Sequence, residues 1–297
     1  DLRLESYGLK ILERNPSSFT PFPDGRHLLL GPNPAQNYQQ ISKFTPRDGN
    51  MYPAYEAMLE RMATVLEPLL TIRPPNLVAP KLRDLWAFYR AGRPFHALGP
   101  AMSEAFEILT APARQILDRW FESEALKATL ATDAVIGAMA SPSTPGTAYV
   151  LFHHVMGETN GKRGMWGYVQ GGMGGITQSL ASAARELKVE IRCDAEVARI
   201  LVRNGRVQGV VLANGMECYA PVIASNADAH VTFTRLVDSK QLPSEFVKAV
   251  NRISYNSASL KINVALSELP NFLACPGLEA APHHRGTIHI SPDQDYI

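Results

Sequence analysis

The stretch Met165-Trp-Gly-Tyr-Val-Gln-Gly-Gly-Met-Gly-Gly-Ile176 says most about the fold, because an apolar run leads directly into a glycine-rich turn. Residues 165–169 predict a short strand, and Val189-Glu-Ile-Arg192 predicts a second one. Between them apolar residues recur at helical spacing, at Ile176, Leu180, Ala183, Ala184 and Leu187. The order strand, helix, strand predicts a β-α-β unit and therefore an α/β protein.

The glycine turn itself allows two interpretations. Gly171 and Gly172 stand between a predicted strand and a predicted helix, where backbone N–H groups can bind a phosphate. However, the spacing is not G-x-G-x-x-G, and no GK[ST] follows as in a P-loop. A tight strand-to-helix turn explains the glycines equally well, so the turn alone leaves both interpretations open.

Three β-rich runs follow the predicted unit. They cover residues 197–202, 207–212 and 216–219, and Asn-Gly pairs at 204–205 and 214–215 separate them. Asn-Gly is a strong signal for a tight hairpin because both residues tolerate a positive φ. We therefore predict a three-stranded meander, followed by one short strand over 221–225.

In the rest of the chain, the residue pattern predicts a hairpin at Asp24-Gly25, several helices and one further strand. Apolar spacing predicts helices over 51–70, 82–89, 103–137 and 242–250. Residues 259–266 alternate apolar and polar residues like a half-buried strand. Lys261 lies on the polar face of that predicted strand, where it is either solvated or projects into a cleft beside a redox centre.

Composition excludes several classes of protein. The chain has 297 residues, 45% of them hydrophobic and 19% charged, with a formal net charge of +1. This is enough apolar material for a packed core and about two domains. Without a basic excess, we expect no binding to nucleic acid or to an anionic membrane surface. No apolar run approaches the roughly 20 residues of a membrane-spanning helix, so we expect a soluble protein.

Metal and nucleophile chemistry have little support in the sequence. The histidine clusters are His153-His154, His283-His284 and His289, and neighbouring residues point in different directions. The three cysteines contain no CxxC pair and are interpreted as packing thiols. There is no G-x-S-x-G motif. We expect no metal site.

Four stretches of the chain resemble the carotenoid/retinoid (phytoene desaturase-like) flavoprotein oxidoreductases. They are residues 120–137, Ser141-Pro-Ser-Thr-Pro-Gly146, residues 164–175 and Val222-Ile-Ala-Ser-Asn-Ala-Asp228. The resemblance implies an FAD-binding α/β domain interleaved with a substrate domain. It places substrate-domain residues at 1–160 and 231–297, with the mainly helical block as pocket wall or lid. Residues 161–230 then return to the FAD domain.

The resemblance also implies roles for individual residues. The backbone of Val197 would face the adenine, and Ser225, Asn226 and Ala227 would approach the cofactor. Lys261 resembles a lysine that holds a water near the flavin in amine oxidases. Gly171 and Gly172 are candidate cofactor-binding residues on the strength of the glycine turn itself.

The implied activity is hydride removal from an apolar small-molecule substrate by FAD. Two alternatives stay open: a redox-neutral isomerase that uses reduced flavin, and a regulatory flavoprotein with little catalysis. The family's opening GxGxxG segment is absent between residues 1 and 297, so we expect a central fragment that retains FAD poorly. The resemblance further suggests the mitochondrial matrix in a eukaryote and the cytoplasm in a bacterium.

Overall fold

The computed structural model describes residues 2–76 and 78–297 and divides the chain into two compact units. The smaller unit contains residues up to Tyr7 together with Thr177–Asn256, and the larger contains Gly8–Ile176 and Ser257–Ile297. Both units mix helices with short sheets, as expected of an α/β fold. The assignment of residues 161–230 to a cofactor domain stays a prediction.

The helices and strands have the following bounds. The α-helices are α1 (Pro34–Ser42), α2 (Pro46–Leu66), α3 (Leu82–Gly92), α4 (Met102–Thr110), α5 (Ala113–Trp120), α6 (Glu124–Ala131), α7 (Thr147–Val155), α8 (Gly174–Glu186), α9 (Ala229–Val231) and α10 (Ser244–Asn251). The strands are β1 (Ile11–Glu13), β2 (Ser18–Pro21), β3 (His27–Leu30), β4 (Glu158–Thr159), β5 (Lys162–Arg163), β6 (Gly167–Val169), β7 (Val197–Arg203), β8 (Arg206–Leu212), β9 (Glu217–Tyr219) and β10 (Thr287–Ile288).

The core of the larger unit is helical. Tyr55 and Phe121 lie at its centre, with ring centroids 5.1 Å apart in an edge-to-face arrangement that aromatic pairs prefer. The predicted long helix over 103–137 is broken into α4, α5 and α6. Pro112 forces Ala111 into an extended conformation after α4. Ser123 starts α6 as its N-cap, and its Oγ accepts from the Leu126 N–H at 3.4 Å.

The sheets of the larger unit are small. Strand β10 pairs in parallel with β2, and β2 pairs with β3 as the hairpin predicted at Asp24-Gly25. Strand β1 pairs with β6, and β4 pairs with β5. The β2–β10 pair brings residues from both ends of the unit's sequence, at 17–18 and 287–289, to one cavity that residues of α2 also line.

The smaller unit confirms the predicted meander. Strands β7, β8 and β9 form one antiparallel sheet in that order, turning at the two Asn-Gly pairs. Asn204 and Gly205 have φ of 53° and 71°, as a tight hairpin requires. Helix α8 also forms as predicted.

Three predicted strands are wrong. Residues 189–192, 221–225 and 259–266 have no strand conformation, and the β-α-β unit is therefore not formed in the described residues. The physical reason is that an isolated extended segment gains no ladder hydrogen bonds, and the described chain provides no strand that pairs with any of the three. Cys193 is exposed rather than packed, whereas Cys218 and Cys275 are half-buried.

No helix within 2–76 and 78–297 combines the length and apolar character that crossing a bilayer requires. The same residues contain no group of three or more His, Cys, Asp or Glu side chains suited to hold a metal ion.

Candidate functional site

A cavity of about 970 Å³ lies within the larger unit. It is bounded by helix α2, the β2–β3 hairpin, the turn after α6, helix α7, residues 162–166 and strand β10. Its volume is at the upper end of the range for small-molecule sites. This makes it the candidate substrate site.

Much of the cavity wall is apolar. The side chains are Leu30, Leu59, Leu130, Ile136, Leu151, Val155, Met165 and Trp166. Most come from α2, α6, α7 and the turns beside them, because those helices direct one apolar face inward. A wall of this kind favours the apolar part of a ligand, since burial there removes apolar surface from water.

Two tyrosines on α2 add phenol groups to the wall. Tyr52 and Tyr55 are both buried, and their burial raises the pKa of each phenol above its usual value. They are therefore neutral hydrogen-bond donors at physiological pH. The Tyr55 hydroxyl is buried and has no hydrogen-bond partner among the described residues, so it is available to a ligand that can reach it.

Arg14 gives the cavity a positive charge. Its guanidinium lies over the Tyr168 ring at 4.4 Å and over the Trp166 ring at 5.3 Å, and Nη1 donates to Thr287 Oγ1 at 2.5 Å. Cation–π contacts of this kind stabilise a guanidinium without neutralising it. No carboxylate of the described chain lies within 4 Å of Arg14, and its Nε has no acceptor there.

Asp133 is half-buried at the start of the turn after α6, and burial raises the pKa of its carboxyl. His154 and Arg14 act in the opposite direction on that pKa. The described residues supply no hydrogen bond or ion pair to the Asp133 carboxyl within 4 Å. A second carboxyl, Glu56, also lines the cavity, and burial raises its pKa as well.

His289 completes this polar end. Its Nδ1 lies 3.3 Å from Thr132 Oγ1, and burial together with the charge of Arg14 lowers the pKa of its imidazole to about 4. The ring is therefore neutral near pH 7. By contrast, the basic residues at the cavity edge are neutralised: Arg163 pairs with Glu60 and Glu67, and Lys162 pairs with Glu13.

The lowered pKa of His289 predicts a pH-dependent stability. The unfolded chain binds a proton near the usual pKa of 6.5, whereas the folded chain binds it only near 4. The stability contributed by neutral His289 is thus present above pH 6.5 and is lost as the pH falls toward 4. Between about pH 7.5 and about pH 5, the wild type should lose about 1–2 kcal/mol more unfolding free energy than His289→Asn.

Urea unfolding at both pH values checks this prediction. Asparagine keeps an amide near the position of Nδ1, and the exposed His153→Asn variant is the matched control. An equal pH-dependent loss in the wild type and in His289→Asn would contradict the assignment. Asp133 contributes to the pH dependence of the unfolding free energy in the opposite direction, because a raised carboxyl pKa makes the fold more stable as the pH falls. The wild type and His289→Asn share this contribution, so it cancels when the two are compared.

The residues predicted from sequence lie elsewhere, and none of them lines the cavity. Gly171, Gly172 and Lys261 belong to the larger unit, whereas Val197 and Ser225-Asn226-Ala227 belong to the smaller one. Lys261 is exposed in a segment without helix or strand, so the strand that was to orient it is absent. Their roles stay predictions.

The cofactor-facing residues can nevertheless be tested for fit. Gly171 and Gly172 have φ of 79° and 86°, and a Cβ on either would meet nothing within 4 Å. The turn surface is therefore open to close approach by a phosphate. Val197 begins β7, which is an edge strand of the meander, so one backbone edge there has no partner strand in the described residues. Each feature, taken within its own unit, leaves backbone groups accessible to part of a cofactor.

Sequence analysis missed Arg14 and Asp133 and considered His289 only as a metal ligand, because the three residues lie far apart in the chain and form no local motif. One signal was present for Asp133, which is a single carboxyl within the small and apolar run Ala131-Thr-Asp-Ala-Val-Ile136. A charged residue inside such a run is either exposed or functional. Arg14 and His289 had no comparable signal.

The chain matches a known protein family and several known proteins. Residues 13–270 match the family model described as flavin containing amine oxidoreductase. The chain is 44% identical over 312 aligned positions to pyridine nucleotide-disulfide oxidoreductase domain-containing protein 2 of Rattus norvegicus, covering 98% of this chain and 53% of the relative. It is 24% identical to the phytoene desaturase (lycopene-forming) of Pseudescherichia vulneris, covering 96% and 54%.

Among solved structures, a putrescine oxidase variant aligns with a TM-score of 0.44 and 15% identity, over 84% of this chain and 48% of the other. The chain spans about half the length of the curated relatives that it matches over most of its own length.

Proposed function

Because the chain belongs to the flavin-containing amine oxidoreductase family, we propose that it provides the substrate cavity and part of the cofactor site of an FAD-dependent dehydrogenase. The substrate is a mainly apolar small molecule that loses hydride from a C–H bond. The observation that carries this proposal is the 970 Å³ cavity with a long apolar wall and one polar end.

The apolar wall binds and encloses the substrate. Enclosure excludes water, which protects a reactive hydride or carbocation from side reactions. Oxidised FAD, when bound, supplies the hydride acceptor. The chain's own contribution is therefore binding, orientation and exclusion of water.

The polar end orients the substrate and handles a proton. Arg14 can donate to a polar substituent, and the unpaired Tyr55 hydroxyl can do the same. When a dehydrogenation forms a carbon–carbon double bond, a proton also leaves the neighbouring carbon, and its C–H electron pair becomes the new π bond. Ionised Asp133 can accept this proton, because its raised pKa makes it a stronger base than an ordinary aspartate.

Backbone groups in both units would serve the cofactor. In the larger unit, Gly171 and Gly172 would accept the close approach of a phosphate. In the smaller unit, the edge of β7 at Val197, which has no partner strand among the described residues, would hydrogen-bond the adenine. Ser225, Asn226 and Ala227 are exposed and would lie against the cofactor. We propose Lys261 as a catalytic residue that holds a water beside the flavin.

Anaerobic mixing of the full-length protein with a panel of apolar substrates tests the proposal. We expect at least one substrate to bleach the visible absorbance of the flavin. If no substrate does so, the proposed dehydrogenase is wrong. If product forms catalytically without an electron acceptor while the flavin stays reduced, the enzyme is an isomerase instead.

Replacing Lys261 with methionine should slow flavin reduction by about 100-fold, because methionine cannot hold the water that we propose Lys261 places beside the flavin. Lys240→Met is the matched control, because Lys240 is also exposed and has no proposed role. Rapid-mixing absorbance measures both variants. Full retention of the reduction rate in Lys261→Met would remove Lys261 from the mechanism while leaving the cavity assignment intact.

A further inference from the structure

Helix α3 exposes an apolar face. Leu82, Leu85, Trp86 and Tyr89 follow the spacing i, i+3, i+4, i+7 and therefore share one side of the helix, with Phe88 beside them. Their exposed fractions are 86% for Leu82, 53% for Leu85, 61% for Trp86, 56% for Phe88 and 58% for Tyr89. No residue of α3 is buried. The face therefore contributes nothing to the core of its own unit.

The apolar exposure extends beyond α3. Leu70, Ile72 and Val78, in the turn and connector before the helix, are exposed by 53%, 41% and 97%. Trp86 and Tyr89 stack on each other at 5.5 Å between centroids. Single exposed apolar side chains are common on protein surfaces, but several on one helix face form a contiguous apolar patch. Such a patch is typical of an interaction surface.

Charge around this face identifies the partner. Residues 72–93 contain five basic side chains and one acidic side chain, which gives a local charge of +4 in a protein whose net charge is +1. The basic residues are all exposed and are Arg73, Lys81, Arg83, Arg90 and Arg93. Asp84 is half-buried and accepts hydrogen bonds from the backbone N–H groups of Lys81 and Asn76.

The residue types fit a lipid surface better than a protein partner. Arg83 and Arg90 are seven positions apart, so they lie along one edge of the apolar face, where their side chains can extend to anionic headgroups. Trp and Tyr rings, each with an apolar body and a polar tip, prefer the boundary between headgroups and acyl chains. A helix with Lys and Arg beside an apolar face of Trp, Phe and Leu has the pattern of helices that lie in a lipid interface.

We propose that α3 and the flanking residues 72–93 dock the protein on an anionic lipid membrane, with the helix lying in the plane of the interface. The net charge of the chain is near zero because acidic residues elsewhere offset the positive charge of residues 72–93. The proposal goes beyond the proposed oxidation and does not depend on it. Helix α3 and the cavity belong to the same compact unit. Docking through α3 would therefore keep the cavity close to the lipid bilayer, in which an apolar substrate dissolves.

Co-sedimentation of the full-length protein with lipid vesicles tests the proposal. One set of vesicles is phosphatidylcholine alone, and the other also contains anionic phosphatidylglycerol. We expect clear binding to the anionic vesicles, weaker binding to the neutral ones, and loss of binding at high salt. No binding to anionic vesicles overturns the proposal and would indicate that another part of the protein covers α3.

Two variants locate the surface. The double variant Arg83→Gln, Arg90→Gln should bind anionic vesicles about 10-fold or more weakly, since each basic residue near such a surface contributes about 1 kcal/mol. Trp86→Ser should also weaken binding. The controls are Arg203→Gln, Arg206→Gln and Tyr219→Ser, which alter exposed residues of the β7–β9 meander. If the control variants lose binding and the α3 variants do not, the surface lies elsewhere and the proposal is wrong.

Discussion

Replacing Asp48 with alanine is expected to lower the free energy of unfolding of the full-length protein by about 3 kcal/mol. The Asp48 side chain is fully buried in the first turn of α2. Its carboxylate accepts from the Glu122 N–H at 3.0 and 3.1 Å and from the Ser123 N–H at 2.7 Å. Alanine would leave both N–H groups without an acceptor just before α6 begins, and unpaired buried donors are costly.

Urea unfolding measures this effect, with Asp48→Asn as the matched variant. Asparagine keeps one oxygen acceptor but places an NH₂ group where the second oxygen was, so an intermediate loss is expected. Asp24→Ala is a surface control, since among the described residues the Asp24 carboxylate pairs with the exposed Arg26 alone. If Asp48→Ala were no less stable than Asp24→Ala, the carboxylate would not hold α2 and α6 together.

Replacing Arg14 with methionine is expected to lower kcat/KM by about 30-fold, which is the usual cost of losing a charged hydrogen-bond donor to a ligand. Most of the change should appear in KM, because Arg14 binds and orients the substrate in the proposed mechanism. A second effect concerns Asp133. Arg14 lowers the pKa of that carboxyl, so its removal should move the acidic limb of the pH–rate profile to higher pH.

Arg14→Lys separates these two effects. Lysine keeps the positive charge and should preserve the pH profile, but it lacks the planar group that lies over Tyr168 and Trp166. Steady-state kinetics of the full-length enzyme across pH measures both quantities. If Arg14→Met showed the wild-type KM and an unshifted profile, Arg14 would have no part in the site.

The fold could be predicted from sequence wherever the deciding interactions are local. The two Asn-Gly hairpins and helix α8 depend on residues only a few positions apart, and these elements formed as predicted. The segments 189–192, 221–225 and 259–266 carry an equally clear strand pattern. Their conformation depends on a neighbouring strand, which no local pattern encodes.

The candidate site could be predicted from local sequence patterns even less than the strands. Arg14, Asp133 and His289 come from the beginning, middle and end of the larger unit, and only the packing of α2, α6 and β10 places them in one cavity. The resemblance to flavoproteins implied the cofactor chemistry and a role for Lys261, but neither Lys261 nor the glycine turn lines the cavity. The polar end of the cavity contains buried groups, such as the Arg14 Nε, that have no partner among the described residues and that no local motif encodes.

The pairing of β10 with β2 also sets the order in which the protein can be built. Strand β10 joins β2 in parallel, and Thr287 accepts the hydrogen bond from Arg14 across 273 positions of sequence. Contacts of such long range form late, because a long loop must close first. During synthesis, the helical core can therefore fold on the ribosome while the cavity still lacks one wall. The cavity is completed only after β10 has emerged, so a nascent chain shorter than this has a core but no finished site.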